Sequence, residues 1–171
     1  VVTGGNGSSY MWAFNSALIR IGNEQILVDT GFGHVDGSPG TGMKRLLSEV
    51  GPTAEAIDTV VITHGDRDHV GGLLEDGSAV YPSARLVSSS REAESWKNPD
   101  HPAHAMYEVY RPAMVTVEDA DEISSDHEGS SIIAIAAYGH TPGHMGLEIT
   151  SGDQKFRMIV DTVHALFQME H

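Results

Sequence analysis

Two histidines and two aspartates follow one predicted strand within the six residues 64–69. They are His64, Asp66, Asp68 and His69, and the apolar run 60–62 precedes them. A loop at a strand end can bring several imidazole and carboxylate groups to one point, and both groups are common ligands of divalent metals. Because so many acidic groups at one point would repel one another, a cation is their natural partner. The spacing therefore predicts a metal site.

The same segment is also compatible with an ordinary turn. Gly65-Asp66-Arg67-Asp68 has the composition of a loop with aspartate caps and a solvated arginine. A single histidine at a strand end is usually structural. The clustering of four candidate ligands favours the metal site over the turn.

The composition favours a soluble globular protein and argues against several kinds of partner. With 171 residues, the chain has the size of a single domain, 1–171. No apolar run approaches the roughly 20 residues of a membrane span. Ten basic against 24 acidic residues give a net charge of −14, which opposes binding to nucleic acid or to an anionic membrane. We therefore expect a small-molecule substrate and neither of those partners, while the oligomeric state is left open.

The chain has no cysteine. Thiolate ligands, disulfides and a thiol nucleophile are therefore excluded, and any metal must be held by carboxylates and by some of the ten histidines. The absence of cysteine suits both oxidising and reducing compartments, so localisation stays open, with the cytoplasm slightly favoured.

The first part of the chain predicts a layered α/β domain. Strands are predicted around the Gly22-Asn23 turn, and an amphipathic helix is predicted where apolar residues recur with spacings of three and four. The predicted strands are 15–21, 25–28 and 58–63, and the helix is Met43–Val50. A strand-helix-strand order places a site at strand ends. Asp29 follows the second strand and is interpreted either as a turn residue or as support for that site.

The middle of the chain is less regular. We predict a helical turn at 73–74, a buried edge segment at 85–87, helices at 91–96 and 103–110, and solvated turns at the acidic runs 118–122 and 124–129. The aromatic and histidine-bearing segment from Trp96 to Tyr110 has two interpretations. It either packs a helix onto the core or forms a lid that sets substrate choice.

The last third carries a second dense motif. A strand at 131–138 leads into Gly139-His140-Thr141-Pro142-Gly143-His144, and strands at 145–149 and 155–160 follow. The last of these strands leads into Asp161. With Asp29, four separate strands thus lead into histidine or aspartate.

Taken together, these motifs resemble those of the metallo-β-lactamase superfamily of metal-dependent hydrolases. They are Thr63 to Gly72, Gly139 to His144 and Val160-Asp161, and Asp29-Thr30-Gly31 is similar to that family's early strand-end motif. The resemblance covers the chain from about Asn15 to Asp161 and is strongest to the glyoxalase II, lactonase and organophosphate-hydrolase branches. It implies an αββα sandwich with the metal site along one edge of two packed sheets.

The resemblance also implies roles for individual residues. One metal is assigned His64, Asp66 and His140, the other Asp68 and His69, with Asp161 bridging the two ions; His144 is assigned a supporting role. The implied cofactors are two divalent ions, zinc first, with iron or manganese as alternatives. The implied activity is hydrolysis of an ester, thioester, lactone or phosphotriester by a metal-bound hydroxide, with Asp68 as the catalytic proton acceptor.

Two departures from the family pattern keep alternatives open. The family ordinarily has histidine at the position of Asp66, and a carboxylate there favours iron or manganese over zinc. The family's last metal-binding histidine is expected beyond His171, so we expect a fragment that lacks the final strands and helices. The alternatives are an iron-dependent redox enzyme of the same fold and a non-catalytic domain with impaired metal binding.

Overall fold

Two β-sheets stacked face to face form the centre of the protein in a computed structural model that describes residues 15–33 and 42–163. The strands in chain order are β1 Ala17–Ile21, β2 Glu24–Val28, β3 Thr59–Val61, β4 Leu74–Glu75, β5 Ser78–Ala79, β6 Arg85–Ser89, β7 Met114–Val117, β8 Glu122–Ser125, β9 Ser130–Ala136, β10 Met145–Ser151 and β11 Gln154–Met158. The helices are α1 Met43–Val50, α2 Arg67–Val70, α3 Ser90–Ser95 and α4 His104–Tyr110. Short 3₁₀ turns cover Ala54–Ala56, Gly71–Leu73, Arg111–Ala113 and Val160–Thr162.

The first sheet has the strand order β1-β2-β3-β6-β7. β1 and β2 form an antiparallel hairpin, and β2, β3, β6 and β7 run parallel. The second sheet is antiparallel in the order β11-β10-β9-β8, and β4 pairs with β5 as a separate hairpin. The carboxyl ends of the parallel strands therefore meet at one edge of the first sheet.

The apolar residues divide into two cores, one on each face of the first sheet. Leu27, Val60 and Leu86 face the helices, where they join Leu47 of α1 and Tyr110 of α4. A second cluster of buried apolar residues forms the core between the sheets and includes Ile26, Val28, Val61, Val87, Ile132 and Leu147. Central parallel strands are covered on both faces, which explains why residues 26–28 of β2 and 60–61 of β3 are consecutive buried apolar residues rather than alternating. The layers in the described residues are helix, sheet and sheet, three of the four layers of the predicted αββα sandwich.

The predicted N-terminal hairpin, the helix Met43–Val50 and the strands before the two motifs are confirmed. The segment 85–87 was predicted as an edge, and this is wrong, because β6 lies between β3 and β7. The acidic runs were predicted as turns, yet β8 begins at Glu122 and pairs with β9. In β8 the two central residues, Ile123 and Ser124, are buried between exposed ends, so neither the acidic residues nor a simple alternation indicates the strand.

The segment from Trp96 to Tyr110 packs onto the core. Trp96 is fully buried, and the Tyr110 hydroxyl donates to Leu73 O and accepts from Tyr81 N. The packing interpretation is therefore confirmed, and the effect of this segment on substrate choice stays a prediction. Across the described ranges, no helix is long and apolar enough to cross a membrane.

Candidate metal centre

The edges of the two sheets meet where the sequence motifs lie. Thr63 and His64 follow β3 in the first sheet, His140 follows β9 in the second, and Asp161 follows β11. The Met145 amide at the start of β10 donates to Thr63 O at 3.1 Å. This backbone bond between the sheets brings the two dense motifs side by side.

Asp29 organises the first motif from beneath. It is buried, has a φ of +56°, and accepts hydrogen bonds from Thr63 N, from the Thr63 hydroxyl and from His69 Nδ1, each at 2.9 Å. A left-handed conformation is tolerated better by aspartate than by most residues. These contacts agree with the interpretation of Asp29 as support for the site.

The Gly71-Gly72 pair is required by close packing onto the strand-end motif. The Gly72 amide donates to Gly31 O and to the Thr30 hydroxyl, both at 3.1 Å. A Cβ on Gly72 would lie 2.3 Å from Thr30 O, which no side chain tolerates. The glycine pair therefore fixes α2, and with it His69, against β2.

Hydrogen bonds at Nδ1 set the ring orientation of His64 and His69. The one proton of the Thr63 hydroxyl goes to Asp29, so this hydroxyl acts as an acceptor for His64 Nδ1 at 3.1 Å. His69 Nδ1 donates to Asp29. In both rings Nε2 is then left to face the cluster, which is how metal-binding histidines are usually held.

His64 Nε2 is buried and has no hydrogen-bond partner among the described residues. Burial, together with the neighbouring rings of His69 and His144, lowers the pKa of His64 to about 3, so the ring is neutral. Its Nε2 lies 3.5 Å from Asp66 Oδ2 and 3.9 Å from Asp161 Oδ2. Lone pairs that face one another in this way repel, and a cation placed between them would remove the repulsion.

Six of the side chains named from the sequence converge here. His140 Nε2 lies 3.1 Å from Asp66 Oδ2 and 3.6 Å from Asp161 Oδ2. His69 Nε2 lies 3.5 Å from Asp68 Oδ2 and from Asp161 Oδ2. Two sets have ligand atoms that all lie within 4.8 Å of one another: His64, Asp66 and His140, and His64, His69 and Asp161. The donor types and spacing fit divalent metal ions, and the ligand roles stay predictions.

Charge is concentrated on the second of these sets. Burial lowers the pKa of His69, but hydrogen bonds to Asp161, Asp29 and Asp68 outweigh it and raise that pKa to about 12. Burial raises the pKa of Asp161, but the hydrogen bond from His69 and the charges of His69, His64 and His140 outweigh it, leaving the pKa at about 2. In the absence of metal, His69 is thus an imidazolium that compensates the surrounding carboxylates.

His144 supports Asp161 through the backbone. Its Nδ1 donates to Ala137 O at 3.0 Å, so Nε2 is an acceptor and receives the Asp161 amide at 3.3 Å. Val160, directly before Asp161, has a φ of +47°, which is strained for a β-branched residue. The sequence suggested the supporting role of His144 but gave no sign of the strain.

Sequence reasoning missed Glu92, which is buried in α3 beside both motifs. Its carboxylate accepts from Gly65 N at 3.0 Å and from Gly143 N at 3.0 Å. The spacing Ser89-x-x-Glu92 could have drawn attention to it, because serine followed three residues later by glutamate is typical of a helix start.

A cleft of about 710 Å³ begins beside the first motif. Arg67, which lies between Asp66 and Asp68 in the chain, forms part of its wall. The rest of the wall is partly apolar and includes Val70, Leu74, Pro102 and Met106. The cleft has room for a small molecule and adjoins the first motif through Arg67, Val70 and Gly71, although none of the six converging side chains lines it.

Comparisons with known proteins agree with this geometry. Residues 13–156 match the metallo-beta-lactamase superfamily. The dizinc quorum-quenching lactonase AidC, solved in complex with a product, superposes with a TM-score of 0.75 at 24% identity over 89% of this chain and 57% of AidC. AbOPH, described as a hydrolase in the beta lactamase superfamily, superposes with a TM-score of 0.75 at 27% identity over 94% of this chain and 60% of the AbOPH chain.

A probable metal-dependent hydrolase from Staphylococcus aureus gives a TM-score of 0.74 at 19% identity over 91% of this chain and 60% of its own. The chain thus spans 57% to 60% of the length of these three structures. The match to the family covers most of the chain, and the two stacked sheets with histidine and aspartate along one edge agree with it. This chain belongs to the metallo-beta-lactamase superfamily.

Proposed function

We propose that this protein is a metal-dependent hydrolase that acts on an ester-like bond of a small molecule. The observation that carries the proposal is the buried, unpartnered Nε2 of His64, which faces the carboxylates of Asp66 and Asp161. A buried polar atom without a partner costs about 1–3 kcal/mol and therefore needs an explanation. A divalent cation at this point supplies one.

We assign six residues to two divalent ions, with zinc as the first expectation. The first ion would be held by His64, Asp66 and His140 and the second by Asp68 and His69, and Asp161 would be available to both. When bound, two such ions would lower the pKa of a water molecule toward neutrality and polarise the oxygen of the bond that is cleaved.

The protein's own side chains would then orient the metal ligands and accept a proton. Asp29 holds His69 by Nδ1, so that its Nε2 points at the cluster. In the metal-free protein a hydrogen bond from His69 outweighs burial and lowers the pKa of Asp68. With His69 on the second ion, the Asp68 carboxylate would be the group that can accept a proton at Oδ2. No serine or cysteine nucleophile is required.

The candidate substrates are lactones, esters, thioesters and phosphotriesters. The similarity to a dizinc lactonase and to a hydrolase of the same superfamily supports this range. The cleft beside Arg67 is partly apolar, which suits an acyl or aryl group on a small substrate.

The test is metal analysis followed by hydrolysis of one substrate of each class, before and after treatment with a chelator. We expect two equivalents of metal, turnover of at least one class, loss of turnover with the chelator and recovery when zinc or manganese is added back. Asp68→Asn should abolish turnover, whereas Asp153→Asn, the same change at an exposed acid in the β10–β11 turn, should not. A metal-loaded protein without activity on any class contradicts the proposal.

A second candidate is an iron-dependent redox enzyme, favoured by the position of Asp66 Oδ2 at 3.1 Å from His140 Nε2. Carboxylates are hard ligands that suit iron and manganese. Expression in medium that contains balanced zinc, manganese and iron, followed by metal analysis and oxygen-uptake assays, distinguishes the two. Zinc loading without oxygen uptake removes the redox candidate.

A further inference from the structure

Glu92 is a buried carboxylate whose four hydrogen bonds all come from neutral donors. Its side chain lies in α3, and the residue is 1% exposed. Oε2 accepts from Gly65 N at 3.0 Å and from Trp96 Nε1 at 3.1 Å. Oε1 accepts from Gly143 N at 3.0 Å and from the Thr141 hydroxyl. Four donors match the four acceptor positions of a carboxylate.

Three of these donors belong to the two motif loops. Gly65 lies between His64 and Asp66, and Thr141 directly follows His140. The two oxygens of one carboxylate therefore hold the two loops, one oxygen for each loop. The loops come from different sheets, so this carboxylate spans the boundary at which the candidate metal ligands meet.

The segment 89–96, which holds α3, leaves the two loops no room to shift toward it. A Cβ on Gly65 would lie 2.3 Å from Trp96 Nε1, and a Cβ on Gly143 would lie 2.4 Å from Glu92 N. Ser89 caps α3 by accepting from Glu92 N at 3.1 Å, and its hydroxyl donates to Gly143 O at 2.6 Å. The start of α3 is thus packed tightly against the Gly143 loop, and its end against the Gly65 loop.

Helix stability alone does not account for Glu92. In a capping box the glutamate side chain reaches back to the amide of the serine cap. Here the Glu92 oxygens accept from the two motif loops and from Trp96 instead. Burying a carboxylate is costly, so its hydrogen bonds to the loops are the feature to be explained.

We propose that Glu92 is a positioning residue that sets the distance between the His64–Asp66 loop and His140, and thereby the affinity of the first metal ion. This inference rests on the proposed metal centre. It predicts a selective effect, because Asp68 and His69 lie together on α2 and His69 is held by Asp29 rather than by Glu92. The second ion should therefore depend on Glu92 much less than the first.

The test replaces Glu92 with glutamine, which keeps the shape but turns one acceptor into a donor facing other donors. Stepwise affinities for zinc are measured by competition with a chromophoric chelator, and cobalt(II) absorption spectra report the geometry of each ion. We expect Glu92→Gln to lower the affinity for one of the two ions roughly ten- to hundredfold, the range seen when a hydrogen-bond partner of a metal ligand is lost. The affinity for the other ion should stay within about threefold of its value in the unaltered protein. Glu94→Gln, the same change at an exposed position of the same helix, should leave both affinities and the spectra unchanged.

Thr141→Val provides a second variant that removes a single donor to Glu92 and keeps the side-chain shape. If Glu92→Gln does not fold, Thr141→Val decides: selective weakening of one ion supports the proposal, and unchanged affinities overturn it. Equal affinities in folded Glu92→Gln and the unaltered protein also overturn it, as does equal weakening of both ions. If the unaltered protein binds no metal, the proposed function fails and this inference fails with it, whereas two tightly bound ions unaffected by Glu92 overturn this inference alone.

Discussion

The two halves of the candidate metal centre differ in how they are held. In the buried half, the side chains of His64, His69 and Asp29 are 0%, 8% and 3% exposed. In the other half, the side chains of Asp66, His140 and Asp161 are 47%, 25% and 23% exposed. The first half is part of the protein core, and the second faces the surface.

The hydrogen bonds follow the same division. In the buried half, the single carboxylate of Asp29 accepts hydrogen bonds from the Thr63 amide, the Thr63 hydroxyl and His69. Asp66 instead contacts the rings of His64 and His140 across the cluster. Folding therefore sets the side-chain positions in the buried half. In the open half, the side-chain positions depend on Glu92, on the backbone near Asp161 and on the proposed metal ions. Changes in the buried half should cost folding stability, and changes in the open half should alter metal binding.

The largest effect is expected from Asp29→Ala in the buried half. The substitution leaves the Thr63 amide, the Thr63 hydroxyl and His69 Nδ1 without their acceptor and places alanine in a left-handed conformation. Removing one partner of a buried charged pair costs about 3–5 kcal/mol. We expect a loss of that size in the free energy of unfolding, measured by urea denaturation of the metal-free protein.

Two controls separate the causes. Asp29→Asn keeps an acceptor and tolerates the positive φ, so it isolates the charge and should cost less than Asp29→Ala. Asp58→Ala removes an exposed acceptor of one backbone amide and should cost about 1 kcal/mol or less. If Asp29→Ala costs no more than Asp58→Ala, the buried half is not set by folding.

The second prediction concerns pH. Because the pKa of His69 is raised to about 12, the metal-free protein carries a proton there at neutral pH, and a metal ion must displace it. Affinity for the second ion should therefore rise about tenfold per pH unit between pH 6 and 8, with one proton released. Titration calorimetry in buffers of different ionisation enthalpy counts the protons, and binding without proton release contradicts this assignment.

The raised pKa of His69 also affects the stability of the metal-free protein. A raised histidine pKa stabilises the folded state below the unfolded value of 6.5, and this stabilisation is lost as the pH rises through about 12. The metal-free protein should therefore lose stability from this residue above neutral pH, while the metal-loaded protein, which has no proton there, should not.

The sequence carries more local information about the buried half than about the open half, although the family resemblance named Asp66, His140 and Asp161 as well. A buried strand followed by closely spaced ligands places His64 and His69 with local information, since their spacing in the chain is short. Asp29 could be suspected because it follows a neighbouring strand. Its bonds to Thr63 and His69 could not be predicted, because they depend on the parallel pairing of β2 with β3.

The open half depends on contacts between distant parts of the chain. The bond from Gly143 to Glu92 joins residues 51 positions apart, and the bond from Met145 to Thr63 joins the two sheets. Neither follows from periodicity or from local turn chemistry. The role of Glu92 was missed because the sequence shows only the start of a helix, and the strain at Val160 was missed because valine is normally a strand residue.

The smallest effect, and the one that sharpens the comparison most, is expected from Asp66→His in the open half. Asp66 is about half exposed, so the free energy of unfolding should change by no more than about 0.5 kcal/mol. An imidazole in place of this carboxylate is a better ligand for zinc than for iron or manganese, and we expect zinc affinity at the first ion to rise about tenfold, equal to about 1.4 kcal/mol. Asp100→His, the same change in an exposed loop, should leave it unchanged. If zinc affinity is unchanged in Asp66→His, Asp66 does not bind the first ion, and the open half consists of His140 and Asp161.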